Sequence, residues 1–211
     1  MRWLAIVSVL ALLCGCAAPV SNVSARQTVL VDPGHGGFDG GTVAMDGTKE
    51  KDINLAVSLY LRDILTVCGI PVTLTRDADT ATAPNKTEDM KKRLQMYQNA
   101  SAVIAIHQNH FRQSRYNGTQ VFYSVNHPQS LGLAEDIQES VTSRLQPQNT
   151  RKIQKATDGI YLMHHTTVPA VLVECGFLSN SEELEKLKQP QYRQYMAWAI
   201  CLGYWKYRME S

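Results

Sequence analysis

The stretch Val29–Gly41 reads V-L-V-D-P-G-H-G-G-F-D-G-G. A short apolar, β-branched run breaks into Asp32-Pro33, and His35 then sits among five glycines. A strand ending in such a loop suits a phosphate cradle, a plain turn, or a place where something hard and charged is held. The phosphate reading fails on spacing. A dinucleotide loop needs Gly-x-Gly-x-x-Gly, but counting from Gly34 the third glycine position holds Asp39. A P-loop must close on Gly-Lys-Ser/Thr, and Gly47-Thr48-Lys49 has the wrong order. Asp32 and Asp39 would also bring negative charge to a phosphate. The glycines make better sense as slack around His35, letting the backbone approach closely and take positive φ where the loop turns.

Outward from this loop the chain alternates strands and helices. Thr28–Val31 reads as a buried strand. Lys51–Val67 carries Ile53, Ala56, Leu59/Tyr60, Ile64 and Val67 at helical spacing, and Cys68-Gly69 with Pro71 ends it. Val72–Thr75 is a second strand, and Lys86–Ala100 a helix with Met90, Leu94 and Tyr97 on one face. Ala102–Ile106 is a fully apolar strand running into His107. Thr119–Val125 alternates like a strand, Gln129–Leu145 is helical, and Ile160–Met163 reads as a short strand. Val171–Glu174 is another apolar strand, followed by helices near Glu182–Leu187 and Tyr192–Tyr207. This order predicts an α/β fold: a single domain with a mostly parallel twisted sheet and helices on both faces. In such sheets functional residues lie just beyond the carboxyl ends of the strands. Three strands end on distinctive chemistry: Asp32-Pro33-Gly34-His35, His107 and Glu174.

Two histidines and a glutamate, with a fourth position open to water, form a known catalytic zinc set. His35, Glu50 and His107 supply those donors, and Glu50 at a helix start is favoured by the N-terminal dipole. The compact His-Glu-x-x-His helix of many zinc proteases is absent, because no histidine here is followed by glutamate. Glu174 faces away from Val173 and Cys175 in strand alternation. A lone carboxylate in so apolar a run is costly to bury unless paired or working, so it is either a structural ion pair or the general base such a site needs.

Four stretches together resemble the zinc-dependent N-acetylmuramoyl-L-alanine amidases of bacterial cell walls. They are Val29–Gly37, Gly47–Leu55, Ile104–Asn109 and Pro169–Asn180, in the family's order. Asp52-Ile53-Asn54-Leu55, Val121-Phe122-Tyr123 and Glu174-Cys175-Gly176-Phe177 are most similar to the amidases of endospore-cortex maturation. The resemblance implies that His35, Glu50 and His107 bind one Zn2+ and that Glu174 is the catalytic carboxylate. It implies peptidoglycan as partner and hydrolysis of the amide between the muramic acid lactyl group and L-alanine. A zinc peptidase acting within the stem peptide and a non-catalytic wall-binding relative are the alternatives. The interval from His107 to Glu174 is too short for the inhibitory helical insert of some members, and no room is left for an added wall-binding domain. Two departures stand out: His110 follows the zinc histidine where small residues are usual, and His164-His165 replaces a stretch where arginine is common.

His110 divides evenly between lining the cleft and a plain loop position, whereas surface placement is the default for His164, His165 and the helix-capping His127. The run Lys91-Lys92-Arg93 reads as a solvated helix face. A formal charge of +2, with 44% hydrophobic and 19% charged residues, describes a globular domain with no case for a nucleic-acid partner. Residues 1–25 are different. Met1-Arg2 precedes an apolar run from Trp3 to Cys14, too short to span a bilayer, which reads as an export signal. Leu13-Cys14-Gly15-Cys16 looks like a lipobox with Cys16 acylated, giving a membrane tether. Val23-Ser24-Ala25 offers ordinary cleavage, and an uncleaved anchor is the third option. Either way the predicted location is the cell envelope, or outside the cell, with residues 26–211 as the zinc amidase domain. An accessory protein or a homodimer is compatible with the sequence. The remaining Cys68, Cys175 and Cys201 fall in apolar stretches and read as small buried hydrophobes, not a disulfide framework.

Overall fold

The apolar runs become the strands of one six-stranded sheet. The computed structural model describes residues 28–210, so the export-signal reading of residues 1–25 and the lipobox reading at Cys16 lie outside the described residues. In chain order the elements are β1 (Val29–Pro33), α1 (Glu50–Val67), β2 (Val72–Leu74), α2 (Lys86–Gln98), β3 (Ala102–Asn109), β4 (Gln120–Tyr123), α3 (Gln129–Arg144), β5 (Gln154–Lys155), α4 (Tyr161–His165), β6 (Ala170–Phe177), α5 (Ser181–Lys188) and α6 (Pro190–Glu210). The strand order is β2-β1-β3-β6-β4-β5. β1, β2, β3 and β6 run parallel, while β4 pairs antiparallel to β6 and carries β5 beside it. The sheet is therefore mostly parallel, with helices on both faces, as the strand–helix alternation predicts. Among the described residues no helix is long and apolar enough to cross a membrane.

Side-chain alternation divides the core. Val29, Val31, Ile104, Ile106, Val171, Val173 and Cys175 face one layer, built with α1, α3 and α6. Leu30, Val103, Ala105, Ala170 and Leu172 face the other, covered by Tyr97 of α2 and Met163 of α4. The chain leaves β1 for β2 on one side and returns across it to β3 on the other. The gap beyond the carboxyl ends of β1 and β3 is thus a topological switch point, where open α/β sheets form their crevices.

Several local expectations shift. In α1 the buried line is Ile53, Val57, Leu61 and Leu65, one step round from the expected stripe, and Val67 is 87% exposed. Tyr60 and Ile64 still pack against the core's edge, so two apolar lines compete in the sequence. Ile160–Met163 is not a strand. Its residues enter α4, where His164 N–H donates to the Ile160 carbonyl and Thr166 N–H to that of Leu162. A four-residue apolar run does not distinguish helix from strand by periodicity. β5 is two exposed polar residues and carries no such pattern. Cys175 and Cys201 are buried, whereas Cys68 is only partly so.

The largest correction concerns Arg93, which is not on a solvated face but 1% exposed. Its guanidinium pairs with Asp32 at the end of β1 and donates through Nε to Asp89 Oδ2 at 2.8 Å. Asp32 also accepts from the Thr75 and Tyr97 hydroxyls, so both of its oxygens are used. Burial works against the charge on Asp32, but Arg93 and the two hydroxyls outweigh it and hold the carboxyl below its usual range. Because the folded-state pKa is depressed, this group stabilises the fold above its unfolded value of about 3.9 and loses that contribution as pH falls through the folded value. Asp32→Asn removes one of the two countercharges of Arg93, leaving Asp89 alone to balance it, and the expected loss at pH 7 is about 3 kcal/mol. Urea unfolding should show that gap between variant and parent narrowing as pH is lowered below about 4.

Candidate metal centre and active-site cleft

The loop after β1 is held by its carbonyls. Arg76 Nε donates to the carbonyls of Pro33 (3.0 Å) and His35 (2.8 Å), and its Nη2 donates to those of Gly34 (3.0 Å) and Lys51 (2.9 Å). Arg93 adds Nη1 to Pro33 O at 3.0 Å and Nη2 to His35 O at 2.6 Å. Lys51 Nζ caps the Gly37 carbonyl at 2.8 Å. Under this grip His35 itself adopts φ +61, the only non-glycine with positive φ among the described residues. That left-handed conformation costs a residue with a Cβ on the order of 1–2 kcal/mol, and the arginine hydrogen bonds to its carbonyl hold it there.

Glu50 opens α1 at the same place. Its Oε2 lies 3.2 Å from His35 Nε2 and accepts from Thr42 N–H at 2.9 Å. Its Oε1 lies 3.0 Å from His107 Nδ1, accepts from Gln108 N–H at 3.2 Å, and meets Asn54 Nδ2 at 3.3 Å. The β3–β6 register shifts between His107 and Asn109, and this irregularity lets Gln108 N–H turn onto Glu50. One donor atom from each of His35, Glu50 and His107 falls within 4.8 Å of the others. Burial would lift the Glu50 carboxyl, but hydrogen bonds and charge from His107 and His35 hold it far below the ordinary carboxylate range. Burial lowers His35, and Glu50 with Asp39 outweigh it to raise the imidazole.

Asp39, which sequence reasoning treated only as a charge of the wrong sign for phosphate, has a specific task here. Its Oδ2 lies 3.0 Å from His35 Nδ1 and orients the ring so that Nε2 points at Glu50. The i, i+4 spacing from His35 was the available signal. Asp39 sits at about pKa 2, with burial opposed by His35, the Gly41 N–H and Lys86. Gly34 and Gly41 are sterically required. A Cβ on Gly34 would sit 2.2 Å from the His107 ring, and one on Gly41 would sit 2.6 Å from Glu50 Oε2.

Glu174 stands directly beside His107 in the β3–β6 register, with Gln120 opposite it on β4. All three point to the face of the sheet that α2 and α4 cover, at the end those helices leave open. Glu174 makes no ion pair among the described residues, and its Oε2 is buried with no hydrogen-bond partner. Burial pushes its carboxyl up to about 7, against the pull of His107 and with a further push from Glu50. The cleft is lined by His35, Asp39, Glu50, Lys86, His107, His110 and Glu174, so His110 reaches it. His164 instead pairs with Asp158 at 3.3 Å, and the exposed His165 bonds the Tyr161 carbonyl; neither lines the cleft. His127 Nδ1 accepts from Gln129 N–H at the start of α3, a capping role.

The family model for N-acetylmuramoyl-L-alanine amidase matches residues 29–204. The germination-specific N-acetylmuramoyl-L-alanine amidase of Bacillus subtilis (strain 168) is 37% identical over 205 residues, covering 92% of this chain and 84% of that protein. The solved CwlD amidase from Clostridioides difficile, in complex with the GerS lipoprotein, matches with a TM-score of 0.84 at 37% identity. It covers 88% of this chain and 100% of that one. AmiC2 of Nostoc punctiforme, an N-acetylmuramoyl-L-alanine amidase, matches with a TM-score of 0.76 at 30% identity, over 88% of this chain and 99% of that one. With the fold, the motif order and a match across nearly all the described residues in agreement, the chain belongs to the N-acetylmuramoyl-L-alanine amidase family.

Proposed function

We propose that this protein hydrolyses, in peptidoglycan, the amide joining the muramic acid lactyl group to the L-alanine of the stem peptide. His35, Glu50 and His107 would hold one zinc ion, with Glu174 moving the proton. The donor set fits zinc: two imidazole nitrogens and a carboxylate converge within 4.8 Å, a usual three-ligand catalytic set. The hydrogen bonds behind the donors fit as well, since Asp39 backs His35 while Thr42 and Gln108 N–H groups hold Glu50. Zinc bound there supplies Lewis acidity, acidifying water and stabilising oxyanion charge.

The observation that carries the reading is Glu174. A carboxyl lifted to about 7 and left without a partner beside the donor cluster is matched to proton exchange at neutral pH. It accepts a proton from the attacking water and returns it to the departing amine nitrogen of L-alanine. Burial on the β6 strand holds the carboxyl close to the reacting atoms while keeping it out of the donor set. His110 and Lys86, on the cleft wall, are placed to meet substrate.

The reading extends to location. Residues 1–25 as an export or lipoprotein signal support work at the cell envelope. The germination-specific designation of the Bacillus subtilis relative supports the spore cortex as the wall in question. The GerS complex of CwlD supports an accessory protein for this chain too.

Mass spectrometry of digested peptidoglycan should reveal free stem peptides with an N-terminal alanine; cuts between stem-peptide residues would sink the assignment. Glu174→Gln should retain bound zinc by elemental analysis while turnover falls by roughly 10²–10⁴. His35→Ala should lose both metal and activity. Asp39→Ala is expected to weaken zinc affinity by about 10–100-fold in competition with a chelating dye, with folding intact by circular dichroism.

A further inference from the structure

Asp39, Glu50 and Glu174 give the cleft three carboxyls, but Lys86 is the one lysine or arginine among the described residues that line it. Its own helix does not explain it. Lys86 is the first residue of α2, where Asn85 caps the Glu88 N–H at 3.0 Å and the positive end of the helix dipole disfavours a cation. The acids of that first turn serve other partners: Glu88 pairs with Lys91 at 3.0 Å and Asp89 with Arg93 at 2.8 Å. What Lys86 does meet is Asp39, at 3.3 Å. Every other lysine–carboxylate pair among the described residues is shorter, at 2.7–3.0 Å. The Asp39 oxygen it approaches also lies 3.0 Å from His35 Nδ1, and the second oxygen accepts from Gly41 N–H at 3.1 Å. An ammonium has three protons to give, and the Lys86 side chain is 68% exposed. One long, shared contact leaves it with donors to spare over the cleft.

Position gives this charge a direction. The strand order β1-β3-β6 sets His35, His107 and Glu174 in sequence across the sheet. Lys86, joined to His35 through Asp39, stands at the β1 end. Asn109 and His110 stand at the β6 end, where the Asn109 carbonyl accepts from Leu178 N–H just past β6. Arg115 and Arg151 lie further on, over the rings of Tyr116 and Phe177, and do not line the cleft. The bond assigned above is polar in the same sense. Its acyl side is a lactyl ether on an N-acetylated sugar, which carries no charge. On its amine side the stem peptide continues past L-alanine into residues with free carboxylates. A lysine in the cleft therefore finds a counterion only on the peptide side, and a bound substrate shields that pair from the water that weakens exposed ones.

We propose that Lys86 binds a carboxylate of the stem peptide just beyond L-alanine, which seats the peptide over the β1 end of the cleft and the glycan over the β6 end. The proposal rests on the reaction assigned above for the identity of the substrate, so its test reads binding and not turnover. On the zinc-loaded Glu174→Gln chain, N-acetylmuramoyl-L-alanyl-γ-D-glutamate labelled with a dye on the sugar should bind about fivefold tighter, by fluorescence anisotropy, than the same ligand with its glutamate carboxyls amidated. Adding Lys86→Met should erase that preference by weakening only the acidic ligand, whereas Lys86→Arg keeps it. Zinc affinity, read by competition with a chelating dye, should be unchanged by either substitution, since Asp39 retains His35 and Gly41. A preference that survives Lys86→Met overturns the proposal, as does equal binding of the two ligands before Lys86 is changed. Loss of zinc together with equal weakening of both ligands in Lys86→Met overturns it too, leaving Lys86 as a support for Asp39. Should the expected binding pattern appear while the natural chain leaves the muramoyl–alanine amide intact, the reaction assignment fails and the carboxylate site stands.

Discussion

The site depends on how Asp32, Arg93 and Arg76 manage charge at the end of β1. Two guanidiniums are brought into a largely buried space, and one carboxylate, Asp32, lies at their centre. Their spare N–H groups go to the carbonyls of Pro33, Gly34 and His35. A loop of glycines would otherwise sample many conformations, with no side chains to fix it. Charge-assisted hydrogen bonds to three consecutive carbonyls select one of them. That choice puts His35 in a left-handed conformation and sends its ring toward Glu50. The histidine is positioned through its backbone first and through Asp39 second.

From that anchor the environments of two glutamates diverge. Glu50 is surrounded by donors: two imidazoles, two backbone N–H groups and the Asn54 amide. Glu174, one strand over from His107, has one oxygen shut away with no donor at all. The same side-chain type is therefore held ionised in one place and lifted toward neutrality in the other. Such a separation between neighbouring carboxylates supports the roles proposed for them, since an ionised carboxylate suits binding a cation and one near neutrality suits exchanging a proton. Neither environment comes from a single element. Glu50 draws its donors from β3, α1 and the glycine loop, and Glu174 owes its isolation to lying mid-strand in β6 with an apolar residue on either side.

Much of this arrangement was legible in the sequence because the signals were local. β-Branched runs marked β1, β3 and β6, and their carboxyl ends carried His35, His107 and Glu174. The family resemblance was readable for the same reason, since each motif is a strand end or a helix start. What stayed hidden was long-range. Arg93 in a Lys-Lys-Arg run has the pattern of a solvated face, and its burial rests on Asp32 and the Pro33 and His35 carbonyls, about 60 residues away, together with Asp89 one turn back. α1 carries two apolar lines because it touches both the sheet and α6, so periodicity alone selected the wrong one. The α4 turn is five residues long, shorter than either pattern needs to declare itself. Asp39 was visible as a charge, but its hold on His35 required the loop's actual path.

The two faces of the sheet answer to different physical demands. The α2/α4 face leaves the strand ends open where His107 and Glu174 meet Glu50 at the cleft; its cover is short, and part of it is the polar Asp32–Arg93–Tyr97 network. The opposite face then has to supply most of the hydrophobic burial, and three helices crowd onto it. α6 lies between α1 and α3 and meets both, so its inward side is consumed by packing. On its outward side Trp198 and Trp205 still bury a little over half of their surface against the domain, which extends the covered apolar surface beyond the inward side.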